Sequence, residues 1–238
     1  MNEVVSVRNI NFYFDKKPVL KNISFNISHK DCVALIGPNG AGKTTLIKLL
    51  AGLLKPSKGK IELFGKEINS EIKKQIGYIP QNISVDNFMP ILVQDVLYMG
   101  FLAKNGMFKK YSKQDVSLVE EVAKKLDIFK LMQKPIYKIS GGERQKVSIA
   151  RVLLQNAKIL LMDEPLANID ISYQKDILKI INDTHLNKNI TSLIIVHNLH
   201  QIPSCCNKIM FVSEGEISAF ENKETFFGSD KFNKLWNF

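Results

Sequence analysis

Gly37-Pro38-Asn39-Gly40-Ala41-Gly42-Lys43-Thr44-Thr45 has the residue types and spacing that hold a phosphate chain. Glycine lets the backbone approach an oxyanion and take positive φ, so that successive N–H groups turn inward. Lys43 is placed to reach β- and γ-phosphates, Thr44 to offer its hydroxyl to Mg²⁺, and Thr45 to donate to an α-phosphate. The plain alternative is a glycine turn before an ordinary helix. The flanks argue against it. Cys32-Val33-Ala34-Leu35-Ile36 has the continuous apolar character of a buried strand, and Leu46 to Ala51 has helical spacing that stops at Gly52. A helix start at the loop adds its partial positive charge to the cradle.

Further groups with chemistry lie downstream. Asp163-Glu164-Pro165 ends the apolar run Ile159-Leu160-Leu161-Met162, and carboxylates at the C-terminal edge of a strand lie where α/β sheets bind ligands. Asp163 suits Mg²⁺ ligation and Glu164 suits holding an attacking water; alone, the pair would be an exposed turn. His197 follows the apolar run Thr191 to Val196, which Asn198-Leu199-His200 is expected to continue. A strand-end histidine beside a phosphate site fits a γ-phosphate sensor, whereas His197-x-x-His200 as a metal pair lacks further ligands. In Ile139-Ser140-Gly141-Gly142-Glu143, Ser140 caps the helix that follows and Glu143 completes a capping box; the functional alternative is a second helix N-terminus aimed at phosphate. Phe12-Tyr13-Phe14 sits on the shoulder of a turn, to stack on a base or to pack in the core.

The elements that must position these groups form a mixed chain. Ile23, Phe25 and Ile27 alternate with Ser24, Asn26 and Ser28 as in a half-buried strand. Ile61 to Phe64 and Ile76 to Ile79 are further short strands. From Gln94 to Leu131 the pattern turns helical, with Val116, Val119, Val122, Ala123 and Leu126 on one face. A helix is expected over 171–187, then paired strands at Ile209–Val212 and Ile217–Phe220, and a short closing helix.

The 238 residues suffice for one sizeable α/β domain, with ordinary hydrophobic (45%) and charged (24%) fractions. No stretch nears the ~20 apolar residues of a membrane span, and the N-terminus lacks the basic and apolar regions of a secretory signal. The formal net charge of +10 comes from scattered Lys and Arg, the pattern of a solvated surface and not of a nucleic-acid-binding run. The three cysteines, Cys32, Cys205 and Cys206, contain no C-x-x-C pair and suit a reducing compartment. Cys32 is expected to act as a small apolar residue, and His29 and His185 carry no signal.

At Ser140-Gly141-Gly142 the whole pattern resembles the nucleotide-binding subunit of an ABC transporter. Aromatic loop, Walker A, Q-loop, helical subdomain, signature, Walker B, D-loop and switch histidine follow in that family's order over nearly the whole length. The resemblance implies an α/β P-loop NTPase fold: a core with mixed sheet at 1–83 and 155–238, an N-terminal antiparallel β part, and a helical subdomain at 84–154. It implies ATP and Mg²⁺, with Phe14 at the adenine, Gly37 to Thr45 on the phosphates, and Thr44, Gln81 and Asp163 about the metal. Glu164 becomes the catalytic base, assisted by Gln81 and the switch His197. Ser140, Gly141 and Gly142 meet the nucleotide of the other protomer, and Asp170 belongs to the D-loop Ala167-Asn168-Ile169-Asp170. Two departures are visible: Glu143 where the family has Gln, and Asn168-Ile169 where Ala-Leu is common.

The stretch Ile76 to Gly100 is similar to prokaryotic importers of zinc, manganese and iron, with Met89 inserted between Phe88 and Pro90. The implied protein is a membrane-peripheral ATPase on the inner face of the cell membrane. It works as a homodimer with permease subunits near Gln81 and Phe88, and indirectly with an extracytoplasmic substrate-binding protein, without nucleic acid. The rival readings are an importer for siderophore, heme or cobalamin, a soluble ABC-type ATPase in assembly or repair, and an ATP-switched module without turnover.

Overall fold

The computed structural model describes residues 3–81, 91–102, 110–167, 169–229, 232 and 235. Asn168 and most of the Gln81–Pro90 loop, with Ile83, Val85, Phe88 and Met89, lie outside the described residues.

Two sheets organise the described chain. The first is antiparallel, in the order β2-β1-β4-β5, from β1 (Glu3–Phe14), β2 (Lys17–Ser28), β4 (Lys58–Leu63) and β5 (Lys66–Glu67). Asp15 and Lys16, both at positive φ, close the β1–β2 hairpin as a two-residue turn whose twist matches the strands. In β2 the alternation holds as the sequence predicts, with Ile23, Phe25 and Ile27 buried and Ser24 and Asn26 exposed.

The second sheet runs β10-β9-β3-β8-β7-β6. Its parallel strands are β3 (Cys32–Ile36), β6 (Ile76–Ile79), β7 (Ile159–Met162), β8 (Thr191–Ile195) and β9 (Lys208–Ser213), and β10 (Glu216–Asn222) pairs antiparallel at the edge. Every residue of β3, β7 and β8 is buried, because both faces of the sheet are covered. Val33 and Leu35 face one core with the antiparallel sheet and α1 (Lys43–Leu50); Cys32, Ala34 and Ile36 face the other.

Helix α1 ends in a Schellman motif. Gly52, at φ +67°, donates to Leu49 O at 3.0 Å and Leu53 to Lys48 O at 2.9 Å, which satisfies carbonyls the helix leaves open. After the short α2 (Ser70–Lys73), helices α3 (Val93–Tyr98), α4 (Lys113–Lys125) and α5 (Gly141–Gln155) share a separate apolar core that includes Val93, Leu97, Val119, Ala123, Val147 and Leu154. Helix α6 spans Ile171–Lys188 and α7 spans Lys223–Phe227. None of the described helices is long and apolar enough to cross a membrane.

Two expectations need correction. Strand β8 stops at Ile195, and the Asn198 carboxamide accepts from the His200 N–H at 3.0 Å, so Asn198-Leu199-His200 turns away as a 3₁₀ turn and does not continue the strand. Strand β4 runs Lys58–Leu63 and so starts before the expected Ile61, because β1 pairs with it as far as Asn11↔Lys58.

Candidate functional site

The order β3-β8-β7 places three chemically equipped strand ends side by side. Strand β3 delivers the glycine loop, β8 delivers His197, and β7 delivers Asp163 and Glu164. All three strands run parallel, so their C-terminal ends share one edge of the sheet, where such folds bind ligands.

The loop's shape requires its glycines. Gly37 is at φ +144° and a Cβ there would lie 1.9 Å from Val212 O. Gly42, at φ +97°, would bring a Cβ to 2.6 Å from Leu20 Cδ2. Gly40, at φ +79°, faces open space. Among the described residues no acceptor takes the N–H groups of Gly40, Gly42, Lys43, Thr44 or Thr45, so a row of donors and the start of α1 face the pocket. That pocket, of about 190 Å³, is lined by Val19, Asn39, Gly40, Lys43, Thr44 and Glu164 among others. Ala41 is buried behind it, and its N–H donates to Pro38 O at 3.3 Å.

Lys43 is only 5% exposed, and its Nζ donates to Gly37 O and Pro38 O, each at 2.8 Å. Burial pulls its ammonium below the usual lysine value, and the Glu164 and Asp163 charges oppose that shift. Thr44 Oγ1 donates to Asp163 Oδ1 at 2.9 Å. Asp163 is 2% exposed; burial pushes its carboxyl up, the Thr44 bond pulls it down and the Glu164 charge pushes it up again, for a net rise.

Glu164 is 9% exposed and sits at φ +51°, an uncommon conformation for a non-glycine residue that accumulates at functional sites. Its two carboxylate oxygens face different partners. Oε2 accepts from Gln81 Nε2, and Oε1 pairs with His197 Nε2 at 2.5 Å. Five expected site residues, Lys43, Gln81, Asp163, Glu164 and His197, are therefore brought together from four parts of the sequence.

Other expected residues lie apart. Phe14 is 52% exposed and packs edge-on against the buried Phe12, ring centroids 4.9 Å apart. One aromatic is thus core and its neighbours Tyr13 and Phe14 are open. Phe14 pairs with Lys17 at the hairpin end, and Val19, two residues further along β2, lines the pocket. Val19 carries no chemical signal in the sequence and was not expected there; apolar packing alone places it.

Ser140 and Gly141 are exposed, at the N-terminus of α5. Ser140 Oγ accepts from the Glu143 N–H at 3.3 Å, and Glu143 Oε2 accepts from the Ser140 N–H at 2.7 Å, a closed capping box. The Ser140 N–H bond is the main reason the Glu143 carboxyl stays below its usual value. No described hydrogen bond joins these residues to the glycine loop of the same chain. Instead a Cβ on Gly142 would meet Ile169 at 3.7 Å and Tyr173 at 3.9 Å, beside the exposed Asp170 that starts α6. His197 and His200 share no metal-ligating group among the described residues.

Residues 20–167 match the ABC transporter family. The chain is 34% identical to the manganese transport system ATP-binding protein MntB of Bacillus subtilis over 232 residues, covering 98% of this chain and 92% of that one. It is 32% identical over 233 residues to the zinc import ATP-binding protein ZnuC of Hydrogenovibrio crunogenus, covering 98% and 87%. Among solved structures, cbiO1 from Clostridium perfringens, part of the ABC transporter complex cbiONQ, superposes with a TM-score of 0.81 at 27% identity, covering all of this chain and 95% of that one.

Proposed function

Because the chain belongs to the ABC transporter family of ATP-binding, ATP-hydrolysing proteins, we propose that it is the energising subunit of an importer for a divalent metal ion: zinc, manganese or iron. The observation that carries the catalytic part is the Glu164 carboxylate, held between Gln81 and His197 at the wall of the phosphate pocket. The cargo reading rests on the manganese and zinc relatives.

In this reading the free N–H groups of Gly40 to Thr45 cradle the phosphates. Lys43 exchanges its two carbonyl partners for β- and γ-phosphate oxygens, since both are ordinary acceptors for a buried ammonium. Phe14 offers its open face to the adenine. The oxygens of Thr44 and Asp163, already 2.9 Å apart, suit a hard cation such as Mg²⁺, and Gln81 adds a carboxamide oxygen. When bound, Mg²⁺ supplies Lewis-acid stabilisation of charge on the phosphates. Glu164 accepts the proton of the attacking water from the pocket wall that it lines. His197 holds the other carboxylate oxygen and carries the γ-phosphate contact at the strand end.

The exposed Ser140 and Gly141 and the half-buried Gly142 line no phosphate pocket of their own chain and would complete the site of a second copy, with Asp170 alongside. The chain then acts as one nucleotide-binding domain, 1–238, whose 84–154 part carries the signature. In an ATP-closed pair it would drive permease subunits at the inner membrane face, supplied by an extracytoplasmic binding protein. Uptake of labelled Mn²⁺, Zn²⁺ and Fe²⁺ by cells lacking this gene tests the reading. Loss of uptake of one ion, restored by the native gene and not by a Glu164→Gln copy, is expected; unchanged uptake of all three contradicts it.

A further inference from the structure

At the opposite edge of the sheet from the phosphate pocket, four side chains with soft or imidazole donors converge. Cys32 begins β3, Cys205 and Cys206 precede β9, and His185 lies in the last turn of α6. Cys32 Sγ lies 3.4 Å from Cys205 Sγ and 3.1 Å from Cys206 Sγ. One ligand atom each from Cys32, His185 and Cys205 fall within 4.8 Å of one another. In a tetrahedral zinc–thiolate centre, bonds of ~2.3 Å put sulfur pairs roughly 3.7 Å apart, so the Cys32 and Cys205 sulfurs at 3.4 Å already stand near ligand spacing, and the imidazole would close in on them as an ion binds.

The surroundings fix these groups. His185 Nδ1 bonds Ser192 Oγ at 3.2 Å, which orients the ring as outer partners do for ligating histidines. The Cys205 N–H donates to Asn182 Oδ1 at 2.9 Å and the Cys32 N–H to Asn207 Oδ1 at 2.8 Å. Asn207 in turn donates to Asp31 Oδ1 at 3.0 Å. Cys32, Cys206 and His185 are buried, while the partly exposed Cys205 leaves an approach from solvent.

We propose that Cys32, Cys205 and His185 form a three-donor binding site for a thiophilic divalent cation of the Zn²⁺ type, with a fourth position left for water, separate from the nucleotide's metal. The donor set is sulfur and nitrogen, against the all-oxygen set of Thr44 and Asp163, so the two sites select different ions. Binding would clamp β3, α6 and the segment before β9 to one another. These elements lead respectively to the glycine loop, back to Asp170, and back to His197.

The test uses the tag-free, fully reduced chain without nucleotide, with Co²⁺ as the spectroscopic probe and Zn²⁺ as competitor. Expected is one equivalent of Co²⁺ with thiolate-to-metal charge-transfer and tetrahedral d–d bands, displaced by Zn²⁺. The oxygen donors of the ATP site cannot produce the charge-transfer band. Cys205→Ser should lower Zn²⁺ affinity at least tenfold while its circular dichroism and ATPase rate stay native. His185→Gln, read separately, should weaken the d–d bands. Absence of the thiolate band in the native chain overturns the proposal, as does a band unchanged in both variants. A native chain that forms a Cys32–Cys205 or Cys32–Cys206 disulfide in air and takes up no Co²⁺ after reduction also overturns it.

Discussion

The two ends of strand β3 differ in how their chemistry is assembled. At the C-terminal end, the glycine loop, Lys43 and Glu164 line an open pocket that Ser140 to Gly142 do not line, and in the proposed function a second copy finishes the site. At the N-terminal end, the Cys32 and Cys205 sulfurs and the His185 imidazole gather within a single chain, with the Cys206 sulfur against Cys32. The open end suits a substrate that must enter, react and leave. The closed end suits an ion that stays. One five-residue strand, buried throughout, joins them.

That contrast breaks most readily at the open end. Lys43→Ala removes the buried ammonium from the phosphate pocket, and hydrolysis should fall by roughly 10² or more as ATP binding is lost. Measured ATP affinity and turnover near native values would dissolve the phosphate assignment. Ser140→Arg leaves the chain's own pocket intact and puts a charge on the surface proposed to meet a second copy. ATP should still bind, while dimer formation and turnover drop by roughly tenfold or more. Unchanged cooperativity in ATP hydrolysis would mean that each chain completes its own site. Cys205→Ser sharpens the contrast from the other end: Zn²⁺ binding goes, and ATP hydrolysis by the isolated subunit stays within about twofold of native, because the substitution lies outside the catalytic groups.

The smallest expected effect lies beside Cys32. Burial alone would raise the Asp31 carboxyl, but bonds from Lys208, Asn207 and the Ser28 N–H outweigh it and hold it below the usual value. A carboxylate depressed in the folded state contributes stability that is present above its unfolded pKa and is lost as pH falls through the folded value. Asp31→Asn should therefore cost about 1 kcal/mol at neutral pH, read as the urea midpoint, and that difference should vanish in acid. A midpoint difference independent of pH would remove the charge from the explanation.

The two ends also differ in how far the sequence discloses them. The glycine loop is contiguous, and Asp163, Glu164 and His197 each end an apolar run, so strand ends and chemistry could be read together. The alternation in β2, the capping box at Ser140 and Glu143 and the glycine stop of α1 were legible because each rests on residues within a few positions of one another. The sheet order that puts His197 between the loop and Glu164 is a tertiary fact, as is the contact of Val19 with the pocket. The cysteine cluster illustrates the limit. Cys32 reads as one more small apolar residue and His185 carries no signal, yet pairing of β3 with β9 brings Cys32 to Cys205 and Cys206 from 173 and 174 positions away. The turn at Asn198 was missed because a polar side chain that bonds its own backbone competes with an apolar run, and here it won.

The central claim is that Glu164 is the base that makes the open end a site of turnover. Phosphate release and ATP binding, measured on the same purified samples of the native chain and of Glu164→Gln, test it most directly. The amide keeps the shape and cannot take the proton, so turnover should fall by about 10²–10⁴ while ATP affinity is retained and an ATP-bound dimer accumulates on gel filtration. Turnover by Glu164→Gln at the native rate would contradict the claim and assign the proton to another group.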